Sequence, residues 1–153
     1  MIFIGVDPGL TGAIGCCGER PLVYDMPTRP WGKSGKKAVD LETVRRIGLN
    51  IYDDRDTRVL IERVGAMPGQ GVTSMFSLGM SMYGVAGVFA GMGFTVRFVE
   101  PRVWKAYFKL GADKDEAREI AMKRFPKIDL HLKKHHGRAE ALLIAQYAME
   151  TWI

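Results

Sequence analysis

The sequence predicts an α/β fold: a mixed five-stranded sheet covered by helices. Three observations point there. Three short apolar runs open the chain with tight Pro/Gly links. Two further apolar runs, at residues 59–62 and 94–99, are separated by a long uncharged segment. Helical periodicity fills the remainder, so the order reads βββ, α, β, α, β and then helices.

The first three strands are expected at residues 2–6, 11–17 and 22–26. Pro8-Gly9 and Gly18 punctuate them, and links this short favour antiparallel pairing. Residues 27–37 are rich in Pro, Gly and Lys and read as a mobile loop. A helix follows Asp40, a suitable N-cap, with Leu41, Val44, Ile47 and Ile51 on one face. The fourth strand, residues 59–62, ends in Glu62. From Gly65 to Val96 there is no charged residue. A membrane span is one reading of such a run. Pro68, Gln70 and the many glycines between two strands favour a buried crossover helix over residues 73–92. Gly84, Gly87 and Gly91 give that helix one smooth face, and Met75, Met80 and Met82 read as core or dimer packing. Helical patches are expected at 103–110 and 114–125, and a last helix at 138–152. Trp104 and Trp152 read as core anchors.

Length and composition fit one soluble domain over residues 1–153. Twenty-two Lys and Arg against 17 Asp and Glu give a net charge of +5, which suggests a polyanionic partner. Cys16 and Cys17 are adjacent, point to opposite faces of a strand, and are not expected to pair with each other. The N-terminus carries no basic run ahead of its apolar residues, unlike a secretion signal. Together these features suggest a reducing cytoplasm and no membrane partner.

Three acids stand at the ends of elements. Asp7 follows the first strand and precedes Pro8-Gly9. Glu62 ends the fourth. Glu140 lies in the first turns of the last helix. If strands one and four are neighbours, the acids meet at one sheet edge. Converging carboxylates repel one another unless a cation joins them, and hard divalent ions take oxygen ligands. A pair of such ions, about 3.5–4 Å apart, can activate a water and stabilise a leaving oxygen in phosphodiester hydrolysis.

The basic residues form three groups. Lys33, Lys36 and Lys37 share a loop with Trp31, suited to tracking phosphates and stacking on a splayed base. Arg102, Lys105 and Lys109 recur at helical spacing and should share one face. Lys133, Lys134 and Arg138 flank the acidic site. A solvated surface is the plain alternative for each.

In these pieces the chain resembles the RuvC-type Holliday junction resolvases of the RNase H-like superfamily, especially the shorter bacteriophage versions. The resemblance is carried by Ile4-Gly5-Val6-Asp7-Pro8-Gly9 with Thr11-Gly12, by Ile61-Glu62, by Gly111-Ala112-Asp113-Lys114, and by Arg138-Ala139-Glu140-Ala141-Leu142-Leu143-Ile144-Ala145. It implies an RNase H-like sheet with three antiparallel strands plus two parallel, in a bacterial or phage-encoded protein. It also implies a homodimer that nicks four-way DNA junctions in pairs with Mg²⁺ or Mn²⁺, two ions per site. Asp7, Glu62 and Glu140 would be metal ligands and Lys114 would lie near the DNA. Where the family places an Asp shortly before its last acid, this chain has His136 and Gly137. His136 is therefore the expected fourth ligand, with His135 in reserve. The family's junction-wedging aromatic has only Met67 or Phe76 as counterparts here.

Three other readings use the same residues. An RNA-processing or RNase H-type nuclease would share the acids. A non-catalytic DNA-binding module would have lost the metal. An ATP-dependent phosphotransferase opens with a similar Asp-Gly-Thr turn, but it needs a second phosphate loop, which this sequence lacks.

Overall fold

The computed structural model describes residues 1–52, 56–65 and 68–152. Its strands are β1 (Ile2–Asp7), β2 (Ala13–Cys17), β3 (Leu22–Asp25), β4 (Thr28–Pro30), β5 (Lys37–Val39), β6 (Thr57–Glu62) and β7 (Thr95–Val99). The helices are α1 (Leu41–Ile51), α2 (Val72–Gly91), α3 (Pro101–Tyr107), α4 (Lys114–Arg124) and α5 (His136–Thr151), the last entered through a 3-10 turn at Lys133–His135.

Five strands build the main sheet in the order β3-β2-β1-β6-β7. β1, β2 and β3 pair antiparallel, whereas β1–β6 and β6–β7 pair parallel. The central strands are buried on both faces, so their alternation separates two cores. Ile2, Ile4, Val6, Val59 and Ile61 face α1 and α2, packing with Val44, Ile47, Val85 and Phe89. Phe3 and Leu60 face α3, α4 and α5, packing with Trp104, Leu142 and Ile144. Cys16 falls in the first core and Cys17 in the second, and neither is in a disulfide.

Asp40 caps α1: its carboxylate accepts from the Thr43 amide at 3.3 Å and the Thr43 hydroxyl at 2.7 Å. α2 makes the crossover between parallel β6 and β7. By length and composition it could cross a membrane, but Val85 and Phe89 are fully buried against the sheet, so its inner face belongs to the core.

Four expectations need correction. The segment after β3 is not a plain mobile loop. Residues 28–30 and 37–39 pair as the antiparallel hairpin β4–β5, closed by the Trp31 amide donating to the Lys36 carbonyl. Three-residue strands are too short for a periodic signal. Second, α2 is only half-buried: Val72, Phe76, Met80 and Tyr83 are exposed, whereas Met82 and Phe89 lie in the core. Its glycines divide too. A side chain at Gly84 would meet Leu41, while Gly87 and Gly91 face open space. Third, α3 stops at Tyr107, and Lys109 adopts φ +55°, so Lys109 does not continue the helix face of Arg102 and Lys105. Fourth, α5 starts at His136, before the expected Arg138.

Candidate active site

The register pairs Val6 with Ile61, so Asp7 and Glu62 follow at neighbouring strand ends. Both lie in the alternation that faces α5. What brings α5 so near is the smallness of what it touches. A Cβ on Gly5 would sit 2.2 Å from the Ala141 carbonyl oxygen and the Ala145 nitrogen. On Gly15 it would sit 2.8 Å from Ala141 backbone, and on Gly137 it would meet the Thr11 carbonyl at 2.6 Å. Helix and strand backbones are therefore in direct contact, and Ala139, Ala141 and Ala145 are fully buried. Glu140, between two of those alanines, is delivered to the same edge as Asp7 and Glu62.

The electrostatics follow from this placement. Burial pushes the Asp7 carboxyl up to about 7; the Glu140 charge adds to this, the Gly9 amide pulls back, and Glu62 adds again. That amide donates to Asp7 Oδ1 at 3.3 Å. Glu62 is also raised, chiefly by burial, and is held in place by fully buried Trp104, whose Nε1 donates to Oε2 at 2.7 Å. The next residue, Lys105, sets its Nζ 3.3 Å from Glu140 Oε1 and 5.2 Å from the Trp104 ring centroid. Consecutive residues of α3 thus hold two of the three acids. Among the described residues, no three His, Cys, Asp or Glu groups stand close enough to form a ready metal cage. Each of the three carboxylates is turned toward a protein donor instead: Asp7 toward the Gly9 amide, Glu62 toward Trp104 and Glu140 toward Lys105.

The remaining candidates are placed as follows. His136 lies one helical turn before Glu140. Its Nε2 is 3.9 Å from Asp115 on α4, and its buried Nδ1 has no partner. His135 is buried, with Nδ1 3.7 Å from Asp129. Arg138 is committed to β3, bonding both Asp25 carboxylate oxygens at 2.6 and 2.7 Å. Lys33, Lys36 and Lys37 are exposed on the hairpin, and Lys133 and Lys134 are exposed before α5. Arg102 is exposed and bonds Glu100 at 2.6 Å. Lys114 opens α4, with its side chain outside the described residues, as is Met67. Phe76 is exposed on α2.

The sequence reading missed the part played by Trp104 and placed Lys105 with DNA rather than with the acids. The Trp104–Glu62 bond spans 42 positions and has no local pattern. The usable signal was positional: β7 borders β6, so whatever follows β7 begins beside Glu62.

No protein-family model matches the chain. Among curated proteins it is 40% identical over 91 residues to the "Holliday junction resolvase MOC1, chloroplastic" of Chlamydomonas reinhardtii. That match covers 54% of this chain and 10% of the relative, so the chain spans about a tenth of that protein's length. Among solved structures it is similar to "T. thermophilus RuvC in complex with Holliday junction substrate", with a TM-score of 0.66 and 17% identity, covering 98% of this chain and 95% of that one. It is also similar to a further Thermus thermophilus RuvC structure, with a TM-score of 0.62 and 17% identity over 98% and 96% of the two chains. The sheet that brings Asp7, Glu62 and Glu140 together therefore has the RNase H-like fold of RuvC.

Proposed function

We propose that the chain is a divalent-metal-dependent endonuclease that cuts four-way DNA junctions. The observation that carries this reading is the convergence of Asp7, Glu62 and Glu140 from three separate elements, with the Asp7 carboxyl pushed up to about 7. A buried carboxyl beside two further acids is one whose charged form a bound cation would stabilise. Likeness to a RuvC solved with a junction, and to a curated junction resolvase, supports the choice of substrate.

The donor set fits Mg²⁺ or Mn²⁺. Asp7, Glu62 and Glu140 would be the oxygen ligands, and His136, with its unpartnered Nδ1, is a further candidate that favours Mn²⁺. When bound, two such ions supply Lewis-acid stabilisation of the phosphate and activation of a water. The chain's own contribution is positional. Trp104 fixes one oxygen of Glu62. Lys105 balances Glu140 and places an ammonium among the carboxylates, where it can donate to a phosphate oxygen.

One site makes one nick, and resolving a four-way junction needs two on opposing strands. A two-fold homodimer matches that symmetry. The exposed C-terminal half of α2, with Tyr83 and the open Gly87, is the surface proposed for pairing. Exposed Lys33, Lys36, Lys37, Lys133, Lys134 and Arg102 would meet DNA phosphates.

The test incubates labelled four-way, three-way and linear DNA with the protein under Mg²⁺ and under Mn²⁺. Metal-dependent paired nicking of the four-way junction is expected. Equal cutting of linear duplex and junction would move the function to a general nuclease of the same fold.

A further inference from the structure

Buried polar atoms with no partner are uncommon, and His136 Nδ1 is one. The other nitrogen of that ring, Nε2, lies 3.9 Å from Asp115 Oδ1 on α4. This oxygen is itself fixed. Arg118, three positions further along α4, donates to it from Nε at 3.2 Å and from Nη2 at 3.1 Å. Nη1 of the same guanidinium donates to the carbonyls of Leu130 at 3.3 Å and His131 at 3.1 Å, in the segment that leads into α5. The Arg118 side chain is 13% exposed, so it is held on all sides. It ties Asp115 to the start of the helix that carries His136.

His136 and Glu140 stand four positions apart on α5 and share one of its faces. The two nitrogens of His136 differ in their surroundings: a carboxylate faces Nε2, and no hydrogen bond reaches Nδ1. A carboxylate accepts a hydrogen, so it favours the proton on Nε2 and leaves the lone pair on Nδ1. At 3.9 Å the approach is longer than a hydrogen bond; such contacts are often long until a site is engaged, and then tighten. An imidazole set this way ligates through its free nitrogen, with the carboxylate behind it fixing tautomer and ring orientation. His135 lacks the division, because the nitrogen 3.7 Å from Asp129 is the same one that makes no bond. We infer that Asp115, braced by Arg118, is a positioning residue for His136: it turns the ring so that Nδ1 serves the metal at the Asp7–Glu62–Glu140 site. This rests on the reading of His136 as a ligand and names the group that stands behind it.

The test is Mn²⁺ affinity, measured by calorimetry on metal-stripped protein without DNA, so that it does not depend on cutting. Wild type, Asp115→Leu, His136→Ala and the double variant form a cycle. His136→Ala should weaken Mn²⁺ binding by about tenfold or more. Asp115→Leu should weaken it by about tenfold, the low end for a lost partner behind a ligand, and should add nothing once His136 is gone. Asp115→Asn keeps the shape of the side chain and one acceptor oxygen. It should fall between wild type and Asp115→Leu, and it carries the same cycle if the leucine variant does not fold. An equal loss from the Asp115 change with and without His136 would make Asp115 a structural residue of α4 and overturn the inference. Wild-type affinity in both Asp115 variants would overturn it too. If His136→Ala binds Mn²⁺ as wild type does, the inference falls and the three carboxylates keep the metal. If wild type binds no Mn²⁺, the metal-dependent reading falls and takes this inference with it.

Discussion

Asp7 shows at the level of one residue how a site is built against stability. Its ordinary carboxyl value is 3.8, and in the folded protein it is about 7. A carboxyl raised by folding binds its proton more tightly in the native state than in the unfolded one. Metal-free protein should therefore lose stability as pH rises from about 4 to about 7, at roughly 1.4 kcal/mol per unit at most. Asp7→Asn should lack this slope and be the more stable protein at pH 8. Chemical denaturation in EDTA at pH 5 and pH 8 checks it; parallel curves for the two proteins would refute the burial of a charged Asp7. The same variant should nick no DNA yet bind junctions as well as wild type or better, because one phosphate-repelling charge is gone. Trp104 makes the complementary case. Trp104→Phe keeps most of the volume but removes the N–H from buried Glu62, a loss worth about 1–3 kcal/mol. We expect cleavage to fall by about tenfold or more, with Mn²⁺ binding, followed by calorimetry without DNA, weakened as well. Unchanged Mn²⁺ affinity would make Trp104 a packing residue only.

At the scale of elements, α5 is the part whose fit decides the site. It lies on β1 and β2 with no side chain between backbones, because Gly5 and Gly15 meet Ala141 and Ala145. A methyl group at Gly5 has nowhere to go, since both atoms it would meet are backbone. Gly5→Ala should destabilise by about 1–3 kcal/mol and lower cleavage further than the stability loss explains, because Glu140 moves with the helix. Denaturation midpoints and nicking rates on the same preparation separate the two effects. Gly18→Ala is the control: it faces open space, so neither quantity should change by much. The hairpin β4–β5 is tied at its root by the Asp40 amide donating to the Pro27 carbonyl, and the neighbouring β3 is tied to α5 by Arg138 and Asp25. Arg138 thus joins the strand before the hairpin to the helix carrying Glu140, a structural duty distinct from the DNA contact expected of it.

For the molecule as a whole, the two faces of the sheet have separate tasks. The α3–α4–α5 side carries the acids and closes tightly over them. On the other side, α2 carries exposed rings on a helix with no charge at either end. Gly87 has open space around it, so Gly87→Glu should fold normally. It should also shift the protein from dimer to monomer and remove paired cutting while leaving single nicks. Light scattering at micromolar concentration, with and without junction DNA, reads the result. A wild-type protein that stays monomeric on DNA would refute the dimer.

The sequence by itself determined the order along the chain of the five main-sheet strands, the acids at their ends and the helix that carries Glu140. These are signals of period and position: apolar runs of strand length, a Pro-Gly turn after Asp7, an acid closing a strand, an acid opening an apolar helix. Asp40 was legible as a cap for the same reason, since its bond to Thr43 is local. Only the tertiary structure decided what each side chain does once there. Trp104 and Lys105 look like a core aromatic and a surface cation until β7 sets α3 beside Glu62 and Glu140. Arg138 looks free until Asp25 is opposite it. Phe89 and Tyr83, six positions apart on one apolar helix, differ only in which faces the sheet. Pairings across tens or a hundred positions depend on where backbones come to rest, and here that depended on glycines small enough to let α5 touch the strands.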